Sequence, residues 1–160
     1  MLQKRSEPIK AEGFYFFLTA QFLSALADNA LLFAAIALLS KLEAPNWHQP
    51  LLLQFFVLAY IVLAPFVGAF ADSRPKGQVM FMSNGVKLFG CIAMLLGMQP
   101  LYAYAIVGIG AAAYSPAKYG ILTELLPEKS LVQANAWVEG LTVAAIIFGE
   151  GWVSANGMYL

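Results

Sequence analysis

Five long apolar runs, separated by short polar breaks, make up most of this 160-residue chain. A helix needs about 20 mostly apolar residues to cross roughly 30 Å of hydrocarbon, and each run is about that long. With 61% hydrophobic and only 11% charged residues, the chain has more apolar surface than a water-soluble domain of this size can bury. The sequence therefore predicts an all-α polytopic membrane protein with about five transmembrane helices. They cover residues 14–40, 51–71, 79–98, 101–126 and 134–157.

Charge and cysteine usage argue against several classes of function. The formal net charge is zero and the basic residues are scattered, so the chain has no electrostatic footprint for a nucleic acid. One cysteine, Cys91, and one histidine, His48, are too few for a disulfide framework or a Cys/His metal site. We therefore expect no nucleic-acid partner, no metal and no cofactor.

Basic residues in the short connections predict the orientation of the chain. Those on the side of the amino terminus are Lys4, Arg5, Lys10, Arg74, Lys76 and Lys129. A connection on the other side carries Lys41 alone. Because cytoplasmic loops carry the excess of Lys and Arg, we expect a cytoplasmic amino terminus. Residues 72–77 and 127–130 would then be cytoplasmic, and residues 43–49 periplasmic.

Polar residues inside the apolar runs are the candidate functional residues. A charge at membrane depth costs about 2.5 to 3.5 kcal/mol on insertion scales, so it normally faces a protein interior or an aqueous cavity. On the first run, Gln21, Ser24 and Asp28 share one helical face, and Asn29 follows Asp28 directly. This stripe predicts an acidic group on a translocation path, able to pair with a cation. The alternative is that Asp28 caps or brackets a break in the helix.

Lys118 is the second candidate charge. It lies on the fourth run, one turn after Tyr114 and close to Pro116, whose missing N–H opens the local hydrogen-bond ladder. One hypothesis makes Lys118 the partner of a phosphate or of a carboxylate such as Asp28. The alternative is that its side chain snorkels to the cytoplasmic interface.

Glu139 and Lys87 have weaker functional signals. Glu139 is near the predicted cytoplasmic end of the fifth run, where a partnership with the loops is as well supported as substrate contact. Lys87 interrupts the third run, and snorkelling or packing is at least as well supported as a site role. Small residues four apart predict close contacts between helices. They are Ala64 with Gly68, Gly108 with Ala112, Gly140 with Ala144, and Ala145 with Gly149.

The connection between the second and third runs, residues 68–77, resembles the loop motif of the major facilitator superfamily. A glycine is followed four residues later by an aspartate and then by basic residues, although Phe70 and Pro75 depart from the usual pattern. In the superfamily the loop aspartate, here Asp72, holds the cytoplasmic ends of the two halves together in the outward-open state. The residues that the resemblance assigns to this gating loop are Gly68, Asp72, Arg74 and Lys76.

Three further stretches narrow the resemblance. Residues 20–33, 64–73 and 110–122 are similar to the lysophospholipid transporters of the bacterial inner membrane. That family has twelve spans in two six-helix halves. The resemblance, which covers roughly residues 14–148, therefore implies a partial amino-terminal half of a major-facilitator fold, as an amino-terminal fragment or a truncated gene product.

The resemblance also implies a substrate and partners. Lysophosphatidylethanolamine and lysophosphatidylglycerol would be flipped from the outer to the inner leaflet, where a cytoplasmic-side acyltransferase reacylates them. A phosphate needs a cationic contact and an ethanolamine an anionic one, which makes Lys118 and Asp28 the candidates. Another solute carrier of the superfamily and a small non-transporting membrane subunit remain alternatives. An integral membrane acyltransferase is not expected, since Leu53 stands where a His48-based motif needs aspartate.

Overall fold

The computed structural model describes residues 11–155, which fold into five consecutive α-helices. They are α1 (Ala11–Lys41), α2 (His48–Asp72), α3 (Lys76–Leu95), α4 (Pro100–Leu125) and α5 (Glu128–Ala155). The predicted all-α class is confirmed. Lys4, Arg5 and Lys10, and the predicted end of the fifth helix at residues 156–157, lie outside the described residues.

The helix ends differ from the apolar runs for local chemical reasons. α5 begins at Glu128, directly after Pro127 and six residues before the predicted start, because an acidic residue in the first turn suits the positive end of the helix dipole. α3 ends at Leu95, earlier than predicted, since Gly97 adopts a φ of 91°. This left-handed conformation ends a helix and is readily adopted by glycine. The limits of an apolar run are thus not the limits of the helix, which are set by the local chemistry at each end.

Four of the helices in the described part of the chain are long and apolar enough to cross a membrane. These segments are Gly13–Lys41, His48–Asp72, Lys76–Leu95 and Glu128–Gly151. α4 is not among these four segments, and it contacts each of the other four helices. A helix shielded by its neighbours can carry polar groups such as the buried Tyr104, Tyr114 and Lys118. The chain is a multi-pass membrane protein in which α4 is the central helix.

Glycines on α4 allow its neighbours to approach closely. A Cβ added to Gly110 would lie 2.7 Å from the backbone oxygen of Ser83 on α3, and one on Gly108 would lie 3.1 Å from Cα of Phe56 on α2. The predicted contact at Gly108 is therefore confirmed. Gly68 and Gly140, two other glycines of the predicted contacts, have no atom of another described helix within 4 Å of an added Cβ. The predicted contacts at those two positions are wrong.

Two of the three apolar clusters in the described part of the chain contain residues of α1, and these two lie at different depths of the bundle. One joins α1, α2, α3 and α4 and includes Ala35, Leu39, Leu52, Met94, Tyr104 and Val107. The other joins α1, α4 and α5 and includes Phe17, Leu18, Leu122, Ala134 and Val138. Along α1, residues 21–28 lie between the two clusters. The polar stripe is therefore enclosed at both ends by apolar packing.

The surface of α1 has two opposite faces. Leu26, Ala30 and Phe33 line an apolar groove of about 1130 Å³ between α1, α3 and α5. At about 100° per residue, these positions lie on the far side of the helix from Gln21 and Asp28. The polar stripe therefore faces α4, whereas the opposite face is compatible with hydrocarbon.

Candidate functional site

A pocket of about 170 Å³ lies in the polar layer between the two apolar clusters. Its polar lining residues are Gln21, Ser24, Asp28, Asn29, Tyr60, Lys87, Tyr114, Ser115, Lys118 and Thr142. Five of the six predicted path residues are among them. The sixth, Glu139, lies at the rim, where it contacts Lys118. The structure therefore brings the predicted residues to one place, while their role in transport stays a prediction.

The polar stripe of α1 is continuous with the helix around it. α1 runs without interruption from Ala11 to Lys41, so the alternative in which Asp28 brackets a helix break is wrong. Asn29 donates from Nδ2 to the backbone oxygen of Ala25 at 2.8 Å. Its amide is thus satisfied within its own helix.

Lys87 on α3 is the partner of Asp28. Its Nζ donates to Oδ2 of Asp28 at 2.7 Å and to Oγ of Ser24 at 3.2 Å, and it lies 4.6 Å from the ring centroid of Tyr114. The Lys87 side chain is 8% exposed and that of Asp28 is 28% exposed. Lys87 therefore does not snorkel to an interface, and the sequence analysis underrated it as a site residue.

The sequence contains a pattern that indicates a polar helical face around Lys87. Asn84 and Lys87 are three residues apart on α3, so they share a helical face. Ser24 donates to Oδ1 of Asn84 at 3.3 Å. The polar stripe of α1 thus has a matching polar face on α3.

The predicted pairing of Asp28 with Lys118 is wrong. The hydroxyl of Tyr114 on α4 donates to Oε1 of Gln21 on α1 at 3.0 Å. Tyr114 therefore lies at the level of Gln21, which is two helical turns from Asp28. Because α1 and α4 run antiparallel, Lys118 lies one turn further from Asp28 than Tyr114 does. Lys118 instead donates to Oε1 of Glu139 at 3.3 Å.

Glu139 on α5 accepts two hydrogen bonds on the same oxygen. The hydroxyl of Tyr119 donates to Oε1 at 2.8 Å, which is shorter than the 3.3 Å contact from Lys118. The Glu139 side chain is 52% exposed, against 11% for Lys118. Lys118 is therefore directed to α5 and not to an interface. Its ammonium group makes one long hydrogen bond, to a half-exposed carboxylate, and lies 4.6 Å from the ring centroid of Tyr119. Sequence analysis missed Tyr119, because it lies outside the polar stripes.

Gln21 joins three helices. Its Oε1 accepts from Tyr114 on α4, and its Nε2 donates to Oγ1 of Thr142 on α5 at 3.4 Å. Gln21 is 4% exposed. A buried amide with both ends bonded fixes the relative positions of α1, α4 and α5 around the pocket.

The predicted gating loop is ordered by local contacts. Lys76 donates to Oδ1 of Asp72 at 2.6 Å, and the Asp72 side chain remains 80% exposed. The side chain of Lys76 also packs on α4, where a Cβ added to Gly120 would lie 2.9 Å from its Cε. Arg74 lies 5.8 Å from the ring centroid of Phe70. Asp72 is thus accessible to a further partner, and its gating role stays a prediction.

Comparison with known proteins finds relatives that share one name, lysophospholipid transporter LplT. The protein from Yersinia enterocolitica is 52% identical over 144 residues, which is 90% of this chain and 36% of the relative. The protein from Klebsiella pneumoniae is 55% identical over 140 residues, or 88% and 35%. The protein from Cronobacter sakazakii is 53% identical over 148 residues, or 92% and 36%.

The chain is therefore similar to these transporters over nearly its whole length, while it spans only about 36% of the length of the relatives. This agrees with the expectation that it corresponds to part of a longer carrier. No family model and no solved structure matches the chain.

Proposed function

We propose that this chain is part of a lysophospholipid transporter. It would move lysophosphatidylethanolamine and lysophosphatidylglycerol from the outer to the inner leaflet of the bacterial inner membrane. The observation that carries the proposal is an identity above 50%, over about nine-tenths of the chain, to proteins named for that activity. The pocket among the helices supports it independently.

The size of the pocket suits a headgroup and not a whole lipid. Its volume of about 170 Å³ is below the roughly 300 to 1,000 Å³ of pockets that enclose a drug-sized ligand. The acyl tail would stay among the hydrocarbon chains outside the bundle. Apolar side chains exposed on α2, among them Leu53, Ile61 and Phe66, show that this outer surface is compatible with lipid.

Lys118 is the proposed contact for the headgroup phosphate. Its 3.3 Å contact with the half-exposed Glu139 can be exchanged for a phosphate oxygen, and a charge-assisted hydrogen bond to phosphate is roughly twice as strong as a neutral one. Glu139 would retain the hydrogen bond from Tyr119 during this exchange. Tyr114, Gln21 and Asn29 line the same pocket. Their oxygen atoms would accept hydrogen bonds from the hydroxyl groups of the glycerol part in addition to the bonds that these side chains already make.

The loop after α2 is proposed to gate this path from the cytoplasmic side. An exposed Asp72 that is held by Lys76 on its own loop could exchange that partner for one on a second half of the carrier. The excess of Lys and Arg in this connection supports the cytoplasmic orientation. An acyltransferase on that side would consume the translocated lipid.

The test is uptake of labelled lysophospholipid by cells that lack their native transporter. This chain replaces the matching 36% of LplT from Yersinia enterocolitica, and the chimera is compared with the chain alone. We expect uptake of both lipids by the chimera and none by the chain alone, because such carriers bind between two halves that rock against each other.

The Yersinia protein itself is the positive control, and membrane levels are matched by immunoblot. A chimera that inserts normally but takes up neither lipid contradicts the proposed function. Uptake of another solute class instead would favour a different carrier of the superfamily.

A further inference from the structure

The lining of the pocket carries more positive than negative charge. Among its described residues are two lysines, Lys87 and Lys118, and one carboxylate, Asp28. The charge of Asp28 is already balanced by Lys87 at 2.7 Å. The charge of Lys118 is opposed only by Glu139 at the rim, at 3.3 Å and half exposed. The enclosed part of the pocket is thus suited to an anion.

The two lysines lie at the same distance from an aromatic ring but differ in their hydrogen bonds. Lys118 lies 4.6 Å from the ring centroid of Tyr119 and makes one long hydrogen bond, to Glu139. Three groups contact the ammonium of Lys87, namely the carboxylate of Asp28, the hydroxyl of Ser24 and the ring of Tyr114. Lys87 occupies Oδ2 of Asp28, and an ammonium group of a substrate that displaced it would leave a buried cation uncompensated, which is strongly unfavourable. An ammonium group that approached the other oxygen would meet a carboxylate whose charge Lys87 already balances. Asp28 is therefore not a free anionic contact for an ethanolamine.

We propose that Lys87 is a positioning residue that determines headgroup specificity. Because Lys87 neutralises Asp28, the pocket binds the phosphate that all lysophospholipids share and does not discriminate between the groups attached to that phosphate. The inference rests on the proposed function and refines its substrate class. It accounts for acceptance of a zwitterionic and an anionic lipid by one pocket, since neither headgroup meets an uncompensated carboxylate.

Removal of Lys87 should change specificity and not only binding. In Lys87→Met, Asp28 becomes an uncompensated carboxylate that repels the anionic lysophosphatidylglycerol more than the zwitterionic lysophosphatidylethanolamine. We define the affinity ratio as the affinity for lysophosphatidylglycerol divided by the affinity for lysophosphatidylethanolamine. We expect this ratio to fall by about tenfold or more. In Asp28→Asn/Lys87→Met the repelling charge is absent, so the ratio should return close to its original value.

The measurement is equilibrium binding of the two radiolabelled lipids to the purified chimera, which supplies both halves of the carrier, in neutral-lipid nanodiscs. Lys41→Met is the matched control, because it removes an exposed lysine at the far end of α1 and should leave the ratio unchanged. Helix content by circular dichroism accompanies each variant.

A merely structural role of Lys87 would weaken both lipids equally, so an unchanged ratio in Lys87→Met overturns the inference. Binding of neither lipid by the unsubstituted chimera also overturns it. The affinity ratio could also fall in Lys87→Met without returning in the double variant. The effect would then not come from the charge of Asp28, and this result would contradict the inference. The proposed function is judged separately, by uptake in the unsubstituted chimera.

Discussion

Asp28 on α1 and Lys87 on α3 form an ion pair of 2.7 Å at the depth that separates the two apolar clusters of the bundle. α1 and α3 have few other contacts in the described part of the chain. This pair, together with the hydrogen bond from Ser24 to Asn84, is therefore the main polar link between the two helices. Its loss should affect the stability of the bundle as well as the charge of the pocket.

Double-mutant cycles should separate this pair from an exposed one. We expect a coupling energy of about 1 to 3 kcal/mol between Asp28→Asn and Lys87→Met, because a shielded pair is screened less than a surface pair. The matched control is Asp72 with Lys76, an i, i+4 pair whose carboxylate is 80% exposed, for which about 0.3 to 0.5 kcal/mol is expected. Thermal unfolding in detergent measures both cycles. Equal couplings would refute the structural importance of the Asp28 pair.

A methyl group at Gly110 should separate α3 from α4. Gly110→Ala would place a Cβ 2.7 Å from the backbone oxygen of Ser83 and 2.8 Å from Cγ of Lys87, and overpacking of this kind costs about 1 to 3 kcal/mol. Gly140→Ala is the control, since nothing lies within 4 Å of its added Cβ and alanine is the better helix former. The unfolding temperature should fall for the first variant and rise or stay constant for the second. A neutral Gly110→Ala would show that the α3–α4 contact is looser than described.

Charge removal in the pocket should impair transport by the chimera. Lys118→Ala is expected to reduce lysophospholipid uptake by about tenfold or more because the phosphate contact is lost, and about 1.4 kcal/mol of lost interaction is a factor of ten. Asp28→Asn is expected to reduce uptake to a similar extent because it leaves the buried ammonium of Lys87 without its counter-charge. Lys41→Met, outside the pocket, should transport normally. Uptake is measured at matched protein levels in the membrane. A wild-type rate in either pocket variant would remove that residue from the path.

Cysteine labelling can establish the orientation of the chain. In a Cys91→Ser background, which has no other cysteine, Ser73→Cys and Ser130→Cys should be protected from a membrane-impermeant maleimide in intact spheroplasts. Asn46→Cys should be labelled, because it lies in the connection with the fewest basic residues nearby. The reverse pattern would invert the proposed topology and weaken the assignment of the gating loop.

The sequence alone was sufficient for the class of fold and for which polar residues share a face. Both depend on local rules: a backbone in hydrocarbon must satisfy its own hydrogen bonds, which imposes helices on apolar runs, and 3.6-residue periodicity places Gln21, Ser24 and Asp28 on one stripe. Those predictions are confirmed by α1 and by the pocket that it lines.

The pairing of charges was decided only by the tertiary structure. Sequence periodicity gives the face of each helix, but not which helices are neighbours or how far one is shifted along another. The hydrogen bond between Tyr114 and Gln21 fixes the shift of α4 along α1, and Lys118 then lies beside Glu139. The hydrogen bond between Ser24 and Asn84 fixes α3 against α1, so that Lys87 reaches Asp28. A contact between residues 59 positions apart depends on the packing of the whole bundle, and no local pattern encodes it.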